Sequence, residues 1–264
     1  MTYFGFLLRF LVIPIVILLV ITWRDNKNNK PAPGFQNGRA VWIAILVHVI
    51  IAVVYTTPWD NYLVATGVWY YNPHLVTGIV FGYVPIEEYT FFVLETLLSG
   101  LWWWFLARRI AEPGGPFQPS KSGRMIAAGI LFLAWIIFTV LFFSDNKSIT
   151  YLSITLFWAL PAIFPQLLYG ADILWHYRRL VFPGFLVPGA YLSLTDIVAL
   201  TDSTWSIAKD QTTGILFFGI LPLEEVVFFF ITNILIIFGM TLLLSNIGQQ
   251  RFRTWKDNNY KGLP

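Results

Sequence analysis

Apolar and polar positions along this chain fall into long blocks rather than a residue-by-residue alternation. Seven blocks are read as membrane-crossing helices, since a crossing needs about 20 predominantly apolar residues. They run from Tyr3 to Trp23, Ala40 to Thr57, Leu75 to Leu106, Arg124 to Phe143, Ile149 to Leu168, Phe185 to Leu200 and Thr213 to Ser245. Pro58 to Pro73 is too polar and interrupted to cross. Its Trp59, Tyr62, Trp69, Tyr70 and Tyr71 place it at headgroup depth. Pro161 and Pro165 are expected to kink the fifth span. The pattern predicts an all-α integral membrane protein.

Loop charge orients the spans. The loops after spans one, three and five and the C-terminal tail carry 4, 4, 2 and 4 Lys/Arg; the other loops carry 0, 1 and 1. That alternation puts the N-terminus outside the cell membrane and the C-terminus in the cytoplasm. Arg9 is left over. It is expected to snorkel to the outer interface, the other reading being a salt bridge to an intramembrane Glu. The first span lacks the basic start and small-residue cleavage site of a signal peptide.

Composition narrows the classes. The 264 residues are 57% hydrophobic and 12% charged, against about 25% charged in soluble domains. Seven spans with short loops leave no room for a soluble domain. Net charge is +3 with the basic residues in loops, so nucleic acid binding has no support. The absence of Cys excludes disulfides, thiolate metal sites and thiol redox chemistry. No G-x-G-x-x-G occurs, so a nucleotide-binding flavin or nicotinamide domain is not expected. No cofactor and no metal is assigned; homo-oligomerisation is left open.

Chemistry enters with one stretch that occurs twice. Gly82-Tyr83-Val84-Pro85-Ile86-Glu87-Glu88, followed by Phe91-Phe92, returns as Gly219-Ile220-Leu221-Pro222-Leu223-Glu224-Glu225, followed by Phe228-Phe229, an offset of 222 − 85 = 137. Each copy lies in an apolar run. An acid at the centre of a membrane helix costs about 2.5–3.5 kcal/mol, so four cost roughly 10–14 kcal/mol and call for a function. Asp60, Trp69, Thr77 and Gly78 align with Asp196, Trp205, Thr213 and Gly214 at an offset of 136, which places a one-residue insertion before the second motif. Spans one to three thus match spans five to seven. The plan is a first three-helix repeat (1–106), a linker helix with its loops (107–148), a second repeat (149–245) and a basic cytoplasmic tail (246–264). The repeats are expected to be parallel, related by an axis along the membrane normal, with the active cavity between them.

Pro85 and Pro222 each remove a backbone donor and are expected to break the span just before its Glu pair, with Gly82 and Gly219 easing the bend. The pair then falls in the opening turn of a half-helix, whose amides attract negative charge. Desolvation favours the neutral acid more strongly, so at least one Glu of each pair is expected to keep its proton at neutral pH. Glu88 shares a helix face with Phe92 and Glu95, whereas the second copy has Thr232 at the matching place, followed by Asn233; one working centre is expected rather than two. The other reading of these acids is an interhelical hydrogen-bond clamp. Phe91, Phe92, Phe228 and Phe229 form either a cation-stabilising cage, at about 2 kcal/mol per desolvated ring, or ordinary packing. Asp60 and Asp196 either cap helices or line the cavity. Trp102 to Trp104 are read as interfacial belt residues and His48 as a satisfied core histidine.

Two Pro-x-Glu-Glu motifs, each after a Gly and before Phe-Phe in a repeated three-span unit, resemble the membrane-integral lycopene cyclases. These comprise a heterodimeric bacterial type, here with both halves fused, and the cyclase domain of fungal bifunctional carotenoid enzymes. The resemblance implies an intramolecular lyase or isomerase acting on lycopene or a similar linear carotenoid. It implies Glu87, Glu88, Glu224 and Glu225 as catalytic acids and bases. Phe91, Phe92, Glu95, Phe228, Phe229, Asn233, Asp60 and Asp196 would lie against substrate. Glu88 and Glu225 are the preferred partners, with donor and acceptor undecided. The rivals are a proton-coupled transporter and a related end-group hydratase. A retinal protein is disfavoured because no Lys lies between Thr213 and Ser245, and a Glu-Glu protease because Phe91 stands where its Arg should be.

Overall fold

The computed structural model describes residues 1–110, 112–144 and 146–260, the side chains of residues 259 and 260 excepted. The last four residues of the expected basic tail, 261–264, lie outside the described residues; the rest of it, Asn246–Tyr260, is a helix.

Among the described residues, seven helices are long and apolar enough to cross a membrane. They are α1 (Tyr3–Lys27, with one π turn at Leu8–Val12), α2 (Arg39–Ala65), α3 (Ile86–Ala107), α4 (Lys121–Phe142), α5 (Thr150–His176), α6 (Arg178–Thr201) and α7 (Leu223–Leu244). The protein is an all-α multi-pass membrane protein. α3 and α7 form the buried centre. α4 lies outermost against α5, and its Ile126, Ile130, Leu133, Ile137 and Val140, at helical spacing, all point outward. An apolar stripe on the outside is what a lipid-facing helix presents.

Several boundaries differ from those read from sequence. α2 runs through Pro58 to Ala65, so the segment expected at headgroup depth is in part helix. Its Trp59 and Trp69 belong to the protein core at 4% and 7% exposure. The fifth helix leaves helical geometry at Gly170 rather than at Pro161 or Pro165. Prolines inside spans are tolerated where another group takes up the freed carbonyl. Pro14 has no N–H for the carbonyl of Phe10, and the Tyr191 hydroxyl donates to that carbonyl at 3.0 Å. Of the three tryptophans read as belt residues, Trp103 and Trp104 are instead buried, and Trp103 Nε1 donates to Thr241 Oγ1 at 2.9 Å, whereas Trp102 is half-buried. Arg9 lies 3.5 Å from Met1 Sδ and joins none of the ion pairs among the described residues.

The largest difference lies before each Glu pair. No half-helix precedes Pro85 or Pro222. The chain instead folds into two-stranded hairpins, Val80–Phe81 with Val84–Pro85 and Leu216–Phe217 with Leu221–Pro222. Each Pro ends its hairpin in extended geometry (φ −69°, ψ 151° and φ −60°, ψ 145°) and caps the helix that follows. Gly82 and Gly219 hold positive φ in the turns, a conformation glycine adopts without strain. The first turn has two residues between paired positions 81 and 84; the second has three, between 217 and 221. The inserted residue inferred from the offsets therefore sits in this turn. Ile79, Val80, Phe81 and Tyr83, and Ile215 to Phe218, are exposed apolar residues, so both hairpins present greasy tips.

A short antiparallel ribbon joins the two hairpin regions: Trp69 pairs with Ile207, Tyr70 with Ser206 and Tyr71 with Trp205. At the offset of 136, Tyr70 faces its own counterpart, and Trp69 and Tyr71 face each other's counterparts. Equivalent residues also meet lower down, where Thr232 Oγ1 donates to Glu95 Oε1 at 2.7 Å.

Candidate active site

The glutamates of each motif lie in the first turn of α3 or α7 and are buried. Being adjacent on a helix, the two members of a pair point about 100° apart, and they make different contacts. The first members face the loops: the backbone N–H of Thr77 donates to Glu87 Oε1 at 2.6 Å, and that of Thr213 to Glu224 Oε1 at 2.6 Å. The second members face the middle. Glu88 and Glu225 line one pocket together with Tyr3, Tyr71, Asp196, Trp205 and the rings of Phe91, Phe228 and Phe229. The pocket is about 20 Å³ and mostly apolar.

Three phenols address the inner carboxyls. Tyr3 Oη donates to Glu88 Oε2 at 2.5 Å and Tyr71 Oη to the same oxygen at 3.1 Å. Tyr151 Oη donates to Glu225 Oε1 at 2.8 Å. Burial, then the neighbouring Asp60 and Glu88 carboxyls, push the Tyr71 phenol well above its ordinary range, so it stays a donor. Asp196 accepts from Trp205 Nε1 at 2.8 Å. Asp60 is wholly buried and has no hydrogen-bond partner for either oxygen among the described residues; it lines no cavity described here. The ion pairs among the described residues use Asp25, Asp172 and Asp202, so no cation neutralises the central acids. Uncompensated burial of a charge costs several kcal/mol, so Glu88, Asp196 and Glu225 cannot all be ionised around so small a space.

Two lateral cavities lie against α3. One, about 220 Å³, is walled by α2, α3, α5 and α7 and lined in part by His48, Phe92, Glu95, Gln166, Phe228 and Thr232. Its rim residues Ile51 and Tyr55 are exposed. The other, about 300 Å³, is walled by α1, α3 and α6 and lined by apolar groups such as Ile17, Leu98, Trp102 and Val187. Phe228 is shared by the carboxyl pocket and the first lateral cavity. It stacks on Trp59 at 5.3 Å between ring centroids. Glu95 receives Thr232 and, at 3.2 Å, Asn233 Nδ2; Asn233 itself lies between α3 and α7 and lines neither space. His48 Nδ1 lies 2.7 Å from the Ala44 carbonyl, and its ring occupies room left by Gly239.

Sequence reasoning did not single out Tyr3 and Tyr151, and it put Tyr71 at headgroup depth. Tyr3 and Tyr151 begin equivalent spans, but at an offset of 151 − 3 = 148 rather than 136. Most of the shift, 11 − 1 = 10 residues, arises because residues 28–38 separate α1 from α2, whereas Tyr177 alone separates α5 from α6. Aligning the starts of spans instead of a fixed offset brings the two phenols together.

A protein of Halobacterium salinarum named lycopene beta-cyclase is 39% identical over 207 residues, 78% of this chain and 84% of that one. Bifunctional lycopene cyclase/phytoene synthases of Podospora anserina and Phaeosphaeria nodorum are each 33% identical, over 74% and 86% of this chain but only 34% and 38% of their own lengths. No protein-family model matches the sequence, and no solved structure matches it. The chain belongs to the lycopene cyclase family.

Proposed function

We propose that this protein cyclises the linear ends of lycopene, or of a similar linear carotenoid, to β-ionone rings by acid–base chemistry within the membrane. The observation that carries the reading is the meeting of Glu88 and Glu225, from the two copies of one motif, in a single aromatic-walled pocket without a cation. One carboxylic acid gives its proton to the terminal double bond and leaves a tertiary cation. The neighbouring double bond attacks that cation and closes a six-membered ring, moving the positive charge onto the ring. The other group, as carboxylate, removes a ring proton and restores a double bond. One proton enters and one leaves, so substrate and product have the same formula. Phe91, Phe228 and Phe229 supply π faces to the cation, and exclusion of water prevents its capture.

The end group enters sideways from the bilayer through the cavity between α2 and α5, and the Phe228 ring moves aside to admit it to the acids. Glu87 and Glu224 fix the loops that seal the site. The halves, 1–106 and 149–245, act as parallel repeats about an axis along the membrane normal, with 107–148 as linker and 246–264 as cytoplasmic tail. The N-terminus faces outward, in keeping with the loop charges.

The test is expression in a bacterium that accumulates lycopene, with chromatography of the pigments. Cyclic product is expected; unchanged lycopene overturns the reading, and a hydroxylated acyclic product favours a hydratase. Glu88→Gln and Glu225→Gln are each expected to lower turnover by about 10²–10⁴-fold while the purified protein stays folded.

A further inference from the structure

The two inner glutamates are not held alike, and the difference assigns their roles. Glu88 accepts from two phenols at one oxygen, Tyr3 at 2.5 Å and Tyr71 at 3.1 Å. Glu225 accepts from one, Tyr151, at 2.8 Å. The second phenol on Glu88 has no copy in the other half, because Ile207 stands where Tyr71 would be repeated. Glu88 and Glu225 both share the pocket with the Asp196 carboxyl, whose Oδ2 has no hydrogen-bond partner among the described residues, so it is the phenols that set the two glutamates apart.

We infer that Glu88 is the proton acceptor of the cyclisation, held as the anion by Tyr3 and Tyr71, and that Glu225 is the proton donor. Phenols donate and so stabilise the charged form of the group they bind. The half with two of them holds the base, and the half with one holds the acid. In the reaction Glu225 O–H breaks as a C–H bond forms at the chain end. A ring C–H bond then breaks, its electron pair becomes the ring double bond, and its proton passes to a Glu88 oxygen. Tyr3 and Tyr71 are positioning residues, acting through Glu88.

This assignment rests on the cyclase reading, and product analysis separates the two. If the wild-type protein in lycopene-containing membranes forms no cyclic product, the cyclase reading itself fails. If it does, the variants decide the roles. Glu225→Gln is expected to leave lycopene unreacted, without new products, because no cation forms. Glu88→Gln is expected still to consume lycopene, about 10²-fold more slowly, and to yield rings with a displaced double bond or an added hydroxyl. The reverse pattern overturns the assignment, and so does unreacted lycopene alone from both variants when each elutes as folded protein. Glu88→Asp provides a second variant should Glu88→Gln fail to fold: normal rings at reduced rate are expected, and complete loss of ring formation overturns the assignment. Tyr71→Phe is expected to raise the share of misplaced double bonds or hydroxylated rings, a change in product ratio that a purely structural role would not cause. An unchanged ratio overturns the role given to Tyr71.

Discussion

The two halves of this protein share a skeleton and differ in its furnishing. Each has a hairpin, a proline cap, an outer glutamate bound to a threonine N–H and an inner glutamate bound to a phenol. Beyond that they part. The first half adds Tyr71 and Glu95; the second has Ile207 and Thr232 at those places. The flanking cavities differ in the same sense, with Glu95, Gln166 and His48 on one side and apolar residues on the other. What stayed alike is the scaffold together with an inner glutamate and its phenol in each half. Of what diverged, Tyr71 lines the central pocket, and Glu95 and Thr232 line the cavity beside it.

The strongest way to break the comparison is to fill the cavities one at a time. Ala162→Trp, on the α5 wall of the first cavity, is expected to cut turnover by about 10²-fold through misplacement of the end group. Val187→Trp in the other cavity is expected to leave turnover within about twofold, because that space touches no central acid. Equal losses in a membrane assay with lycopene would remove the distinction between the two routes. Next come the outer glutamates. Glu87→Ala and Glu224→Ala each leave a backbone N–H without its acceptor, at about 1–3 kcal/mol. Similar drops in unfolding free energy in detergent are expected; a large effect in one half alone would mean that the hairpins are not equivalent. The smallest effects sharpen the divergence. Thr232→Val and Trp205→Phe each remove one hydrogen bond, to Glu95 and Asp196, worth about 0.5–1.5 kcal/mol. Melting temperatures should fall modestly in both, and only Trp205→Phe, whose indole lines the carboxyl pocket, should also change the rate.

Much of the fold was legible because bilayer-crossing helices must be long and apolar. All seven showed in the sequence, as did both Glu pairs. Their surroundings were harder to see. Ile79 to Val84 and Ile215 to Leu221 continue the apolar run into the helix, so periodicity could not separate a hairpin from the start of a span. Pro58 read as an end, yet α2 continues through it. Trp59 and Trp69 looked interfacial because tryptophan is common at headgroups, but here they pack edge to face at 5.4 Å beside Phe228. Tyr3 and Tyr151 were missed for a different reason. A hydroxyl that reaches a carboxyl across 85 or 74 residues of chain leaves no local signature. Adjacency did reveal that the members of each Glu pair must point apart, but which one faced inward needed coordinates.

The contact between Thr232 and Glu95 bears on how such a protein could arise. Any side chain lying on a two-fold axis is confronted by its own twin. An assembly of two identical chains would have set carboxyl against carboxyl at this spot, or hydroxyl against hydroxyl. Within one polypeptide the two facing positions are encoded separately, and here an acid faces an alcohol across the seam between α3 and α7.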